Sequence, residues 1–155
     1  MINNDVLRSV RYMLDFSDIK IVDIVKMADL EISKSDVVAY LKKDDEEGYL
    51  ACTDEVMLRF LDGLIFLMRG KDESRPPQQL ETRVTNNIVL KKLRVAFEMK
   101  EEDMHGVLQL SGFPVSKPEL SALFRKPGHH NYRNCGDQLL RNFLKGLTLH
   151  FRGEQ

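Results

Sequence analysis

A chain of 155 residues holds one ordinary domain or two small packed units, a size at which no metal or disulfide staple is needed for a stable core. With 43% apolar and 30% charged residues it is too apolar for disorder, and two cysteines are too few for a secreted disulfide framework. A formal net charge of −1 excludes a strong overall pull toward nucleic acid or anionic membrane.

No membrane span is expected: the longest apolar run, Leu64–Met68, falls far short of the ~20 residues required. Met1–Asp5 lacks the basic residues of a signal peptide, and no apolar run follows before Arg8. The expected compartment is therefore reducing and cytoplasmic.

The first predicted helix opens at the doubled Asn3-Asn4, Asn being a preferred N-cap, and shows Val6, Val10, Met13 and Leu14 on one face. A second helix carries Ile21, Ile24, Val25 and Ala28. After the short turn Leu30–Ile32, a third opens with Ser33 and Asp36, a pair spaced for a capping box. Asp44–Glu47 is a solvated charge run rather than a set of paired acids. In the Tyr49-x-x-Cys52-x-Asp54 segment before the fourth helix, Tyr49 packs over the loop, Cys52 is a small buried apolar residue, and Asp54 caps the helix. That helix ends at Gly70. Gly63 interrupts it at a cost near ~1 kcal/mol relative to Ala, which points to close approach of another backbone. The adjoining Leu64–Met68 is apolar around the whole helix and is expected to be buried on all sides.

Residues 71–85 are polar and contain Pro76-Pro77, which forbid a continuous helix, so the segment reads as a linker. The chain then repeats itself. A shift of 83 residues lays Asn3–Gly70 on Asn86–Gly153 with 18 identities over 68 positions and no gap. Val89, Leu93, Ala96 and Phe97 answer the first helix, and Met104, Val107, Leu108 and Ser111 the second. Ser116 and Glu119 repeat the capping pair, with Pro118 in the first turn, where a missing amide proton costs nothing. Tyr132, Cys135 and Asp137 repeat the loop, and Gly146 and Gly153 answer Gly63 and Gly70. The fold expected is all-α: two tandem four-helix repeats, 3–70 and 86–153, packed into one compact unit. The two fourth helices are expected to help join the repeats, crossing near Gly63 and Gly146.

The twins differ in sign. Repeat one has nine basic and fourteen acidic side chains, a formal −5, and repeat two has eleven and six, a formal +5. Opposite halves can attract each other within or between molecules, and the basic half can face an acidic partner. Two helices, a short turn and a Ser-capped third helix resemble a helix-turn-helix, a weakly specific pattern. In repeat two the turn is Gly112–Val115, and the third helix runs into Arg125 and Lys126, followed by His129, His130 and Arg133. These five are the candidate contacts for a partner or for phosphate. Repeat one has Asp44–Glu47 at the matching place, which argues against a symmetric two-site DNA reader.

Candidate chemistry is sparse. A reactive thiol at Cys52 or Cys135 needs a lowered pKa, and no repeated His accompanies either cysteine. A Cys52–Cys135 bridge suits the symmetry but not the compartment. His129 and His130 with Cys135 suggest a metal site only weakly, since adjacent loop histidines rarely face one ion and a fourth ligand is unassigned. His105 and His150 read as isolated helix-surface residues. The sequence holds no phosphate-cradling glycine loop, zinc-protease His-Glu pair or serine elbow. No cofactor, metal or catalytic residue is expected. The leading expectation is a non-enzymatic binding or adaptor protein acting on a protein partner or on itself. It would use the basic loop and any exposed part of the fourth-helix face; the runner-up is nucleic-acid binding through repeat two.

The motif set, Asn-Asn-x-Val-Leu, Ser-Lys before the third helix, Tyr-x-x-Cys-x-Asp, and Phe-Leu-x-Gly-Leu with a closing Arg-Gly, resembles the YehS-like bacterial family, a tandem domain of unknown function. The resemblance covers Asn3 to Gly153. It implies a bacterial, cytoplasmic protein of two repeats and carries no catalytic residues over. Pro127-Gly128-His129-His130 in place of Asp44–Glu47 argues against both repeats binding the same thing.

Overall fold

The structure is a computed structural model and describes residues 1–71 and 81–153; Pro76-Pro77 and most of the expected linker lie outside them. The described residues form eight α-helices and no strand. Repeat one contributes α1 (Asn3–Leu14), α2 (Asp18–Met27), α3 (Lys34–Leu41) and α4 (Asp54–Arg69). Repeat two contributes α5 (Asn86–Ala96), α6 (Glu101–Leu110), α7 (Lys117–Leu123) and α8 (Asp137–Arg152). α2 and α6, and likewise α4 and α8, start and stop at positions 83 residues apart.

Local chemistry sets these limits. Ser33 Oγ accepts the Asp36 amide at 3.0 Å while Asp36 accepts the Ser33 amide at 3.1 Å, closing the expected capping box. Ser116 and Glu119 do the same at 3.2 and 3.1 Å, with Pro118 in the first turn of α7. α4 and α8 stop at Gly70 (φ +85°) and Gly153 (φ +66°), values that a residue with a Cβ adopts at a cost.

One closely approaching helix pair forms the body of each repeat. α4 lies against α2 so tightly that a Cβ on Gly63 would stand 1.9 Å from the Ile24 carbonyl oxygen. α8 lies against α6 in the same way, a Cβ on Gly146 falling 2.1 Å from the Val107 oxygen. The close approach expected of these glycines is therefore present, but with the second helix of their own repeat. The fourth helices do not cross at them.

The repeats join through their first and fourth helices, in a pseudo-two-fold exchange: α1 packs on α8, and α5 packs on α4. The matched contacts are reciprocal. Arg69 donates to the Val95 carbonyl at 3.4 Å and Arg152 to the Tyr12 carbonyl at 2.8 Å. Asp54 accepts from the Val84 nitrogen at 3.1 Å, and Asp137 receives the Met1 nitrogen at 2.7 Å. Tyr12 and Val95, like Met1 and Val84, are 83 residues apart. An ion pair of Lys92 with Asp62 at 2.5 Å strengthens the α4–α5 side alone, since the matching residues are Ser9 and Lys145.

One core runs through both repeats, with Phe60, Phe143, Met57, Leu64, Leu90 and Met104 fully buried. The end of α4 departs from expectation. Leu64 is buried and Ile65–Leu67 are half-buried, but Met68 is 45% exposed, because α4 outruns the helices that flank it and emerges at a groove.

Candidate binding site

The asparagines and aspartates that both repeats share serve the fold. The amide of Asn4, 1% exposed, donates to the Tyr40 and Leu50 carbonyls and accepts the Cys52 amide, each at 2.9–3.0 Å. Asn87 repeats this with Leu123, Arg133 and Cys135 at 2.8–3.0 Å. Asn3 and Asn86 each donate to the neighbouring Cys carbonyl at 3.0 Å and to Asp54 or Asp137 at 2.8 Å. The doubled asparagines are thus clasps on the loop before the fourth helix, not N-caps. Ile2 and Thr85 precede α1 and α5, and Thr85 accepts the Ile88 amide at 3.2 Å. Asp54 and Asp137 likewise stand one residue inside their helices, where the caps are Thr53 and Gly136. Hydrogen bonds from the Met1 nitrogen and Asn86 hold the Asp137 carboxyl below the usual range.

Cys52 and Cys135 are free and buried, with Sγ 3.7 Å from the Thr53 carbonyl and 3.6 Å from the Gly136 carbonyl. Burial, with a smaller push from Asp54 and Asp137, raises the thiols to about 12 and about 11. That is the opposite of an activated nucleophile.

The basic loop of repeat two is exposed from Arg125 to His130. The rings of His129 and His130 stack at 4.6 Å, and His129 Nδ1 accepts the Asn131 amide at 3.0 Å, so they do not converge with buried Cys135 on one point. Arg125 and Lys126 have no carboxylate within ion-pair distance among the described residues, whereas Arg133 stands 4.0 Å from Glu119. Glu119, at the start of α7, is held below the usual carboxylate range by hydrogen bonds from Ser116. A fixed negative charge therefore sits at the end of α7 that a helix-turn-helix would turn toward phosphate.

A concavity lies elsewhere. A groove of about 600 Å³ lies between the α5–α6 turn, the exposed face of α6 and the end of α8, with Met68 entering from α4. Its apolar lining includes Met68, Leu110 and Phe151, which are 45%, 47% and 38% exposed, and the Phe97 and Phe151 rings meet at 4.8 Å. Glu98, Glu102 and Asp103 stand among the lining residues, as does His150. His105, on the same helix, is half-buried, its Nε2 3.8 Å from Glu101, rather than the plain surface residue expected.

The twin differs in this lining. Where repeat one has Met13, Asp23 and Ile24, repeat two has the smaller Ala96, Gly106 and Val107 among the residues that line the groove. The matching place on repeat one is a shallower hollow of about 390 Å³ at Met13, Leu14 and Asp15. The sequence held one signal of this. Gly106 is a helix-interior glycine whose twin is Asp23, unlike the matched Gly63 and Gly146, and a Cβ built on it meets nothing within 4 Å.

A chain whose described residues form eight helices, in two copies of one clasped unit joined reciprocally about a pseudo-two-fold, is a duplicated all-α protein. It belongs to the family described as "protein of unknown function (DUF1456)", whose model matches it twice, at residues 3–70 and 86–153. It is similar to the uncharacterized protein YehS of Escherichia coli (strain K12), with 48% identity over 148 residues, 96% of this chain and 95% of that one. No solved structure matches the chain. No described helix is long and apolar enough to cross a membrane.

Proposed function

We propose that this protein is a non-enzymatic, cytoplasmic binding or adaptor protein that holds an apolar element of a protein partner in the groove of repeat two. The observation that carries the reading is the groove itself: Met68, Leu110 and Phe151 line one concavity and remain substantially exposed, and a concavity with an apolar lining and a few polar groups is the default place for a binding site. Two further features support it. The shared asparagines and capping serines are committed to clasps and caps, and both thiols are held protonated by burial, as suits a reducing compartment.

The test is affinity capture from the native cell, with and without nuclease and at two salt concentrations, using the natural chain and Gly106→Leu. The reading expects a defined protein that the natural chain retains, that nuclease leaves in place and that Gly106→Leu loses. Equal recovery by both chains would sink it.

A second reading, nucleic-acid binding through repeat two, is favoured by the exposed, unpaired Arg125 and Lys126. It is opposed by Glu119 at the start of α7. Charge reversal of Arg125 and Lys126 should abolish salt-sensitive retention on nucleic acid under this reading and leave apolar capture largely intact.

A further inference from the structure

We infer that the occupant of the groove is a basic amphipathic helix of a partner protein, an inference that rests on the groove being the binding site. Two independent observations point to it, one about shape and one about charge.

The described helices contain three interior glycines. Two of them are helix seats: at Gly63 and Gly146 the absent side chain admits the backbone of a crossing helix to within a Cβ's reach of its carbonyl oxygen. The third, Gly106, lies on the groove face of α6 with nothing within 4 Å of its missing Cβ. An interior glycine costs the helix about 1 kcal/mol relative to Ala, and here no contact among the described residues returns that cost. The same packing device is present with its partner missing. A helix suits it better than a strand, since no sheet edge exists among the described residues to be extended. Met68 and Met99 in the lining are flexible side chains that adapt to the knobs of an incoming helix.

The charge follows from the divergence of the twins. Repeat two has six carboxylates against eleven basic side chains, yet three of the six, Glu98, Glu102 and Asp103, line this one groove. Repeat one has Ile19 and Lys20 where repeat two has Glu102 and Asp103, so an apolar and a basic residue stand against two acids. Glu98 is paired with Arg69 at 3.2 Å, and Asp103 accepts the Lys100 amide at 2.8 Å. Glu102 is exposed and has no ion-pair partner among the described residues. An apolar floor beside the unpaired Glu102, with Asp103 next to it, set in an otherwise basic repeat, complements a helix with large apolar side chains on one face and Lys or Arg beside them.

The experiment uses the full chain and three probes: a labelled helical peptide of Leu and Lys, the same peptide with Glu for Lys, and the neutral apolar dye Nile red. Binding is followed by fluorescence for the natural chain, Gly106→Leu and Glu102→Lys, each checked for folding by thermal denaturation. The lysine peptide should bind the natural chain about tenfold or more tightly than the glutamate peptide. Gly106→Leu should lose both the lysine peptide and the dye while melting no lower than the natural chain. Glu102→Lys should weaken the lysine peptide and leave the dye. Equal binding of the two peptides overturns the inference, as does undiminished lysine-peptide binding by Glu102→Lys. If dye binding is lost in Gly106→Leu but neither peptide binds, the basic helix is wrong and the groove reading survives. If neither dye nor peptide binds, both fall.

Discussion

The two repeats form an internal comparison made under identical conditions. They share helix limits, the asparagine clasps, the buried thiols and the glycine seats, and they differ in charge, in the loop after the third helix and in the lining beside the α5–α6 turn. The shared side chains touch backbone: an amide clasping a loop, a carboxylate receiving a main-chain nitrogen, a missing Cβ beside a carbonyl. Such contacts tolerate few alternatives, because each replacement leaves an unpaired buried group or a steric overlap. The residues that differ include buried apolar pairs that exchange one hydrophobe for another, such as Met57 with Leu140 and Ile21 with Met104, and exposed positions such as Ile19 with Glu102, where the lining of the groove differs.

The harshest test of that division is at the glycine seats. Gly63→Ala and Gly146→Ala each put a carbon where the nearest backbone oxygen is 1.9 or 2.1 Å away, so helices must separate. Overpacking of this kind costs on the order of 3 kcal/mol or more, and the two variants should fall together in a urea titration. If one is destabilised and its twin is not, the repeats are not packed alike.

Next come the clasps. Asn4→Ala strips two carbonyls and one amide of their partners and should cost about 2–3 kcal/mol, with Asn87→Ala slightly milder. The difference follows from exposure, 1% at Asn4 against 9% at Asn87, which lets water reach the second site more easily. Equal or reversed losses would break that ordering.

These residues also show where sequence reading stops. The repeat, the helix spans, the capping boxes and the burial of both cysteines were legible, since each rests on periodicity or on residues a few positions apart. Asn4 was misread as a cap because its three partners lie 36, 46 and 48 residues away, and the local role of Asn at a helix start is the one sequence suggests. Gly63 was read for the right reason and assigned the wrong neighbour, since a missing side chain announces close approach without naming what approaches. Of the candidate contacts, Arg125, Lys126, His129 and His130 are exposed as a loop should be, while the groove stayed invisible because the end of α4, the α5–α6 turn with α6, and the end of α8 meet only in the fold to build it.

The thiols give a pH-gated effect, smaller again. Their folded values, about 12 for Cys52 and about 11 for Cys135, stand above the ordinary value of 9.0. The folded state therefore holds protons that the unfolded chain releases. The stabilisation is fully present below pH 9.0 and is lost as pH rises toward about 11 and about 12, so the denaturation midpoint should fall across that window. Cys→Ala variants at both positions should flatten the fall. Native thiols should also resist alkylation at neutral pH and react at once in denaturant; rapid labelling of the native protein would contradict the burial.

Gly106→Ala should produce the smallest effect and the only one of opposite sign. The residue lies inside α6, its φ is not positive, and a Cβ there meets nothing, so alanine removes conformational freedom from the unfolded chain without opposing any contact. A gain of about 0.5–1 kcal/mol is expected, readable as a raised urea midpoint at unchanged slope. The same substitution that wrecks Gly63 and Gly146 thus improves Gly106, in one chain and in helices of one fold. A loss of stability here would mean that α6 already has a neighbour at that face, and the groove would then be part of the core. A gain means that folding does not require the glycine and that the space beside it is open, as the groove requires.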